Sequence, residues 1–452
     1  MQILILRFYS FLMWLVQPLL RRKLRRRGQA EPGYLEAVPE RFGYYAFPGE
    51  DANRPDAYVW VHAVSFGETR TTAILLAALR RELPGMRLLL THGTATGRAE
   101  GARLLQPGDV QAWQPWDSAG AVQRFLQHFR PRIGILMETE IWPNLVDRCR
   151  RAHIPLVLAN ARLSEKSLRQ AERLPFLARP VYSSLYAVWA QASYDAERLK
   201  SLGAPVEGIF GNIKFDAAPD SAKLQQGRTW RLNWRAQQHT AGFRPVVMLA
   251  SAREGEELLL LQEIRRKMAG APAAKVLGAS ESGALDATSS PPQWLIVPRH
   301  PQRFDEVAAL VQAQGFTVSR RSAWAEGPEA ADVWLGDSLG EMALYYGLAD
   351  MALLGGSFAE LGGQNLIEAA ACGCPVLMGP STFNFAEAAN LSEAAGAARR
   401  VTDMSQALQV VDEWRQTPEA LAAAAAAGPA FANAHRGAAD KTAKAVAAIL
   451  AR

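Results

Sequence analysis

The sequence predicts an α/β protein of two doubly wound, Rossmann-like domains facing a cleft, preceded by an N-terminal membrane-anchor helix. Three observations predict it. Short, continuous apolar runs alternate with amphipathic, helix-length segments, the pattern of parallel strands buried on both faces of a sheet. The alternation occurs twice, in two series separated by a polar stretch that holds Pro219, Gly227 and Gly242. Ahead of both lies an apolar segment closed by the basic run RRKLRRR.

Size and composition fit this class and exclude several others. A chain of 452 residues exceeds one ordinary core and suits two domains with additions. With 49 % hydrophobic and 21 % charged residues it is globular and not disordered. Three cysteines, Cys149, Cys372 and Cys374, make no disulfide framework, and no second Cys/His pair stands near Cys372 and Cys374 to complete a zinc site. The net charge is +6, but Arg7, Arg21, Arg22, Lys23, Arg25, Arg26 and Arg27 lie within residues 1–27 without an acid, which leaves −1 for the rest of the chain. That is a local basic patch, so no nucleic-acid partner is expected.

Residues 1–20 read MQILILRFYSFLMWLVQPLL. The unbroken apolar stretch Phe8–Leu20 is shorter than the ~20 residues that cross a bilayer, and extending it back to Ile3 takes in Arg7. Crossing the membrane, lying in its interface and forming the first helix of the soluble fold are all open. No small-residue cleavage site follows, which argues against a signal peptide. The basic flank favours the cytoplasmic side and anionic headgroups.

The first alternating series has strands at Tyr58–Val61, Arg87–Thr91, Ile133–Met137 and Leu156–Ala159, with two more at Val188–Ala190 and Val206–Phe210. The second has strands at Val246–Ala250, Trp294–Val297, Val333–Leu335, Met351–Leu354 and Pro375–Met378. Residues 270–293, rich in Ala, Ser, Gly and Pro, read as a flexible surface insertion, and the alanine-rich end reads as helix. Two such halves are the architecture of the GT-B glycosyltransferases. They also suit a sugar-binding protein of the periplasmic type or a two-domain dehydrogenase, although no compact G-x-G-x-x-G follows a first strand. In any of these the ligand lies beyond the carboxyl ends of the strands.

The polar loops at those ends supply the candidates. Gly355–Pro380 reads GGSFAELGGQNLIEAAACGCPVLMGP, with two glycine pairs after a strand and then a helix bearing Glu368. Glycines admit a phosphate close to the backbone, and a carboxylate early in the following helix can accept hydrogen bonds from ribose hydroxyls. Asn365 and Glu368 therefore point to nucleotide-sugar binding; a tight turn with a dipole-complementing acid is the plainer alternative. Arg299, in VPRHP, can hold a phosphate or form a surface salt bridge. Glu68, in VHAVSFGET, opens a helix and serves either as its stabilising acid or as a general base. Ser65, Gly67, Thr94, Glu138 and Glu140 stand in neighbouring strand-end loops and are acceptor-side candidates. GDSLG at residues 336–340 matches the G-x-S-x-G elbow, but His435 is the one histidine after it, so Ser338 is a weak nucleophile candidate. No D-x-D pair of the metal-dependent sugar transferases occurs.

Nine ordered blocks carry a specific resemblance: SFGET, THGTATG, METEIWPNL, NARLSEKS, GNIKFD, VPRHPQRF, GDSLGEM, GGQNLIEAA and VLMGPSTFNF. With them the chain resembles the 3-deoxy-D-manno-octulosonic acid (Kdo) transferases of Gram-negative bacteria, from the anchor through the second domain. The resemblance implies a GT-B fold that moves Kdo from CMP-Kdo to a lipid A precursor (lipid IVA), with inversion and with neither metal nor other cofactor. It implies Glu68 as general base. It places CMP on Pro298 and Arg299, on Leu339, Gly340 and Glu341, and on Asn365, Leu366, Ile367 and Glu368. Another nucleotide-sugar donor, or a membrane-tethered sugar- or nucleotide-binding protein, is the alternative.

The expected organisation is an anchor and basic patch at 1–27, an acceptor-binding domain at 28–218, a linker at 219–242, a CMP-Kdo-binding domain at 243–425 and a C-terminal helix at 426–452. The expected place is the cytoplasmic face of the bacterial inner membrane, against anionic lipids. Two departures from the family pattern stand out: Gln364 where a histidine often follows the second glycine pair, and SAREGEE, with Arg253, where Thr-His is familiar.

Overall fold

A computed structural model describes residues 2–46, 58–238, 244–270 and 291–452. Most of the insertion expected at 270–293 and the end of the expected linker thus lie outside the described residues. The chain divides into two compact units, Met1–Asp216 with His435–Arg452, and Ala217–Ala434.

The first unit is built on a seven-stranded sheet: β1 (Tyr58–His62), β2 (Arg87–His92), β3 (Val110–Trp113), β4 (Ile133–Met137), β5 (Leu156–Ala161), β6 (Ala187–Ala190) and β7 (Val206–Ile209). Every pairing is parallel, in the order β3-β2-β1-β4-β5-β6-β7. The run YVWVH shows why the strands read as continuous apolar runs. Val59 and Val61 enter the core on one face, with Leu75, Leu79 and Ile135, while Trp60 enters the core on the other, with Phe125 and Leu136. The chain winds outward from β1 to β2 and then returns to lay β4 on the other side of β1. The reversal lies between β1 and β4, and a doubly wound sheet binds its ligand beyond the carboxyl ends of such a pair.

The second unit repeats this plan with β8 (Val246–Ala252), β9 (Gln293–Pro298), β10 (Val318–Arg320), β11 (Val333–Leu335), β12 (Met351–Leu354), β13 (Val376–Met378) and β14 (Ala398–Arg400). The order is β10-β11-β9-β8-β12-β13-β14, again all parallel, and the reversal lies between β8 and β12.

Two segments differ from their expected form. The stretch 219–242, expected as a linker, carries the helix Ser221–Ala236, capped by Asp220 and fixed to the second unit by buried Trp230 and Trp234. It lies so close to the helix Met342–Leu348 that a Cβ on Gly227 would be 2.0 Å from the Leu344 carbonyl oxygen, and one on Gly347 would be 2.4 Å from that of Leu224. The helix expected over 426–452 is two helices, Pro418–Ala434 in the second unit and Ala438–Leu450 in the first. Between them Gly437 adopts φ 105°, and the Asp216 carboxylate accepts from the N–H groups of Gly437 at 2.5 Å and Ala439 at 2.6 Å.

The N-terminal segment is one helix, Gln2–Ala30, docked on the first unit. Among the described residues no helix is long and apolar enough to cross a membrane. Ser10 donates to Asn144 at 2.7 Å, and Tyr9 is hydrogen-bonded to the buried Asp117 carboxylate. That carboxylate also accepts from the N–H groups of Asn144 and Leu145 at the start of the helix Pro143–Arg151. The opposite side of the N-terminal helix leaves Phe8, Phe11, Trp14, Leu15 and Leu19 more than half exposed.

Candidate active site

In the first unit the loop after β1 turns into the helix Phe66–Glu82. Ser65 caps it, accepting from the Glu68 N–H. The Glu68 carboxylate reaches back to accept from the Val64 N–H at 2.9 Å and the Ser65 hydroxyl at 3.2 Å. This is close to a capping box, with the carboxylate on the N–H one residue before the N-cap, so the helix-stabilising reading of Glu68 describes its contacts. Its electrostatics add a second property. Burial, with lesser contributions from Glu138 and Glu140 and against the pull of the Val64 N–H, pushes its pKa up to about 7. A carboxylate with that pKa can take a proton near neutrality. At Gly67, which is exposed, no protein atom lies within 4 Å of where a Cβ would be.

Across the reversal, Glu138 directly follows β4. This residue is buried and takes a backbone φ of 57°, a costly conformation for a side chain of this kind. Its carboxylate is held by Arg162 and Lys214, each at 3.0 Å. Lys214 is placed by the loop after β7, where the Ile213 N–H donates to the Asn160 side chain at 3.0 Å. Glu140 has its pKa raised by burial and accepts from the Trp142 indole at 3.1 Å. Thr94 caps the helix Ala95–Ala102 and donates to the Val64 carbonyl at 3.0 Å, so it fixes the loop that carries Glu68. Beneath that loop His92 bonds the Ala63 carbonyl at 3.0 Å, and burial holds both His92 and His62 far below the usual imidazole range, hence neutral.

The structure thus gathers Ser65, Gly67, Glu68, Thr94, Glu138 and Glu140 at the carboxyl ends of β1, β2 and β4. It adds two residues that the sequence reading assigned no role, Arg162 and Lys214. Their blocks NARLSEKS and GNIKFD had already been singled out, but a lone cation in a loop gives no sign of the carboxylate it will meet.

In the second unit Pro298 ends β9, and Arg299 donates to the Gln364 side chain at 3.1 Å. Leu339, Gly340 and Glu341 form the turn ahead of the helix Met342–Leu348. Leu339 is exposed, Gly340 has φ 73°, and Glu341 is paired with Arg321 at 3.0 Å. The Ser338 hydroxyl bonds Glu341 and the Tyr345 hydroxyl, so the weak G-x-S-x-G match carries no histidine at its serine. Asn365 caps the short helix Leu366–Cys372 through the Ile367 N–H, and Glu368 sits in its first turn. The side chains of Leu366 and Ile367 are buried in the core of the unit.

The glycine-rich loop departs from the expected phosphate cradle. The N–H groups of Gly356, Phe358 and Ala359 point to the fully buried carboxylate of Glu256, at 2.7, 3.0 and 3.2 Å. That side chain fills the nest from within the protein. Among the described residues no group of three His, Cys, Asp or Glu side chains is placed to hold a metal ion.

Two doubly wound parallel units, each with polar and charged side chains at the carboxyl ends of the strands flanking its reversal, have the fold of a GT-B glycosyltransferase. Solved structures agree. A glycosyltransferase from Rickettsia africae aligns over 87% of this chain and 99% of its own with a TM-score of 0.53 at 10% identity. HepE of Anabaena in complex with UDP aligns over 86% and 99% with a TM-score of 0.55 at 14% identity. At such identities the likeness is one of fold.

The sequence relatives are more specific. The family model for 3-deoxy-D-manno-octulosonic-acid transferase (kdotransferase) matches residues 36–217. The 3-deoxy-D-manno-octulosonic acid transferase of Bordetella pertussis is 44% identical over 436 residues, covering 94% of this chain and 95% of its own. That of Haemophilus influenzae is 32% identical over 382 residues, covering 84% and 83%. The chain belongs to the Kdo transferase family and is a glycosyltransferase.

One expected outcome concerns Glu68 directly. Isotope-edited infrared titration should show its carboxyl losing a proton near pH 7, well above an ordinary glutamate. Glu138→Gln removes a neighbouring negative charge and should move that midpoint down. A midpoint in the usual carboxylate range in both proteins would contradict the burial described.

Proposed function

We propose that this enzyme transfers Kdo from CMP-Kdo to a lipid A precursor at the cytoplasmic face of the inner membrane, by a direct displacement that inverts the anomeric carbon and needs no metal. The observation that supports this reading most is Glu68, half-buried at the reversal of the first sheet and carrying a pKa of about 7. Glu68 removes the proton from an acceptor hydroxyl. The oxygen attacks the anomeric carbon as the bond from that carbon to the phosphate oxygen breaks, and CMP leaves with the electron pair. Arg299 stabilises the charge on the departing phosphate. Glu138, fixed by Arg162 and Lys214, keeps a polar, charged wall beside the base.

The membrane reading that fits is a helix lying in the interface. The exposed Phe8, Phe11, Trp14, Leu15 and Leu19 enter the acyl boundary, while Arg21, Arg22, Lys23, Arg25 and Arg26, all exposed, meet anionic headgroups. The bonds of Tyr9 and Ser10 tie this helix to the start of Pro143–Arg151, just beyond the loop with Glu138 and Glu140.

Detergent-purified protein with CMP-Kdo, a tetra-acyl lipid A precursor and EDTA should add one or more Kdo units, read as a mass increase of the lipid. No increase, with or without magnesium, would contradict the proposal and direct the search to other nucleotide sugars. The double variant Trp14→Glu, Leu15→Glu should sediment far less with vesicles rich in anionic lipid while melting at the wild-type temperature. Unchanged sedimentation would remove the interfacial role.

A further inference from the structure

We propose that Arg253 binds the carboxylate of the donor sugar and, with Arg299, makes the second sheet's crevice selective for an acidic sugar nucleotide. The inference rests on the CMP-Kdo reading above.

Its first support is position. Arg253 is the first residue after β8, and Gly355–Gly356 directly follow β12, so both border the reversal of the second sheet, where a doubly wound fold takes its ligand. Glu256 ties these two edges together. Its carboxylate accepts from the Arg253 N–H at 2.9 Å and from the Gly356 N–H at 2.7 Å, so the backbone that launches the Arg253 side chain is fixed to the glycine loop.

The second support is what surrounds the side chain. A point one Cβ out from Gly356 lies 3.6 Å from Arg253 Cγ and 3.1 Å from Gln364 Nε2, and the Gln364 oxygen accepts from Arg299 at 3.1 Å. The stem of Arg253 and the Gln364 carboxamide thus border a glycine that presents no side chain, and the carboxamide in turn holds Arg299. Their field reaches His300, whose pKa is lowered by burial and then by Arg253 and Arg299. Where Arg253 has a partner, it is a replaceable one: Glu254, more than half exposed, at 2.9 Å. Exposed ion pairs of this kind contribute about 0–1 kcal/mol, so a ligand carboxylate can displace Glu254 at little cost.

The third support is the chemistry of the sugar. Kdo is an ulosonic acid, so its carboxylate and, in the activated donor, its phosphate ester oxygen are attached to the same anomeric carbon. Such a donor presents two anionic groups one carbon apart, whereas a neutral sugar nucleotide presents none beyond its phosphate. Arg299 answers the phosphate. Arg253, whose stem passes the glycine that the Gln364 carboxamide also borders, answers the carboxylate, and its planar fork suits that group.

The test is steady-state kinetics of the full-length protein in detergent, with KM for CMP-Kdo and Ki for CMP measured side by side. Arg253→Ala should raise KM for CMP-Kdo about tenfold or more, the loss typical of one charge-assisted hydrogen bond. Ki for CMP, which lacks the carboxylate, should stay within about twofold, and kcat should change little because the contact is shared by ground and transition states. Arg253→Lys should recover part of the loss, and neither variant should lower the melting temperature. An unchanged KM would overturn the proposal. So would an equal rise in Ki for CMP, which would assign Arg253 to the phosphate. Wild-type protein in the same assay separates the two levels: if it transfers no Kdo from CMP-Kdo, the donor reading itself falls and this inference with it.

Discussion

In each unit the strand that begins the double winding ends in a loop closed by a glutamate. After β1 the sequence Ser65-Phe66-Gly67-Glu68 turns into a helix, and the carboxylate reaches back to the Val64 N–H. After β8 the sequence Arg253-Glu254-Gly255-Glu256 does the same, and the carboxylate reaches back to the Arg253 N–H. The physical constraint is identical. The first turn of a helix leaves its N–H groups without partners, and a carboxylate in that turn satisfies the chain just before it. The rest of each site is placed relative to that closure.

The two glutamates differ in how completely they are engaged. Glu256 has no solvent exposure and accepts four backbone N–H groups, three of them from the glycine loop after β12. An anion so surrounded holds two strand ends in register, and its chemistry is spent on structure. Glu68 accepts one backbone N–H and one hydroxyl, and its burial, helped by two neighbouring acids, outweighs those bonds and holds its proton near neutrality. The same local device thus gives a fixed strut in one unit and a titratable group in the other.

The central strands and the strand-end loops were legible in the sequence because they are buried on both faces and bounded by polar residues, as in VVMLA of β8. Of the four edge strands, β7 was read at Val206–Phe210 and the other three were not. β3 (VQAW), β10 (VSR) and β14 (ARR) each end a sheet, where one side has no neighbouring strand and polar side chains are tolerated, so no apolar run marks them. The linker was read as holding a helix, but the packing of this helix into the second unit escaped notice, because its buried residues Leu224, Trp230 and Trp234 are few and the tryptophans meet partners far along the chain. The ion pairs of Glu138 with Arg162 and Lys214 escaped for a similar reason, since loops after three different strands must meet to form them. The glycine pairs were read as a phosphate cradle, but the N–H groups that follow the first pair bond the Glu256 carboxylate from within the protein. The apolar start was legible as a segment, and its helix shows exposed aromatics on one side and bonds to Asn144 and Asp117 on the other.

The most direct measurement is the rate of Kdo transfer at saturating donor and acceptor for Glu68→Gln beside Glu256→Gln, with both melting temperatures. A glutamine at position 68 can still accept the Val64 N–H, so the fold should persist while the rate falls by about 10²–10⁴, the usual contribution of a general base. At position 256 the substitution turns an amide toward buried N–H groups, so the melting temperature should fall while the saturated rate of the folded protein stays within about tenfold of wild type. A Glu68→Gln enzyme that keeps more than about a tenth of the rate, or one whose loss is matched by its loss of folded protein, would contradict the division of roles between the two carboxylates.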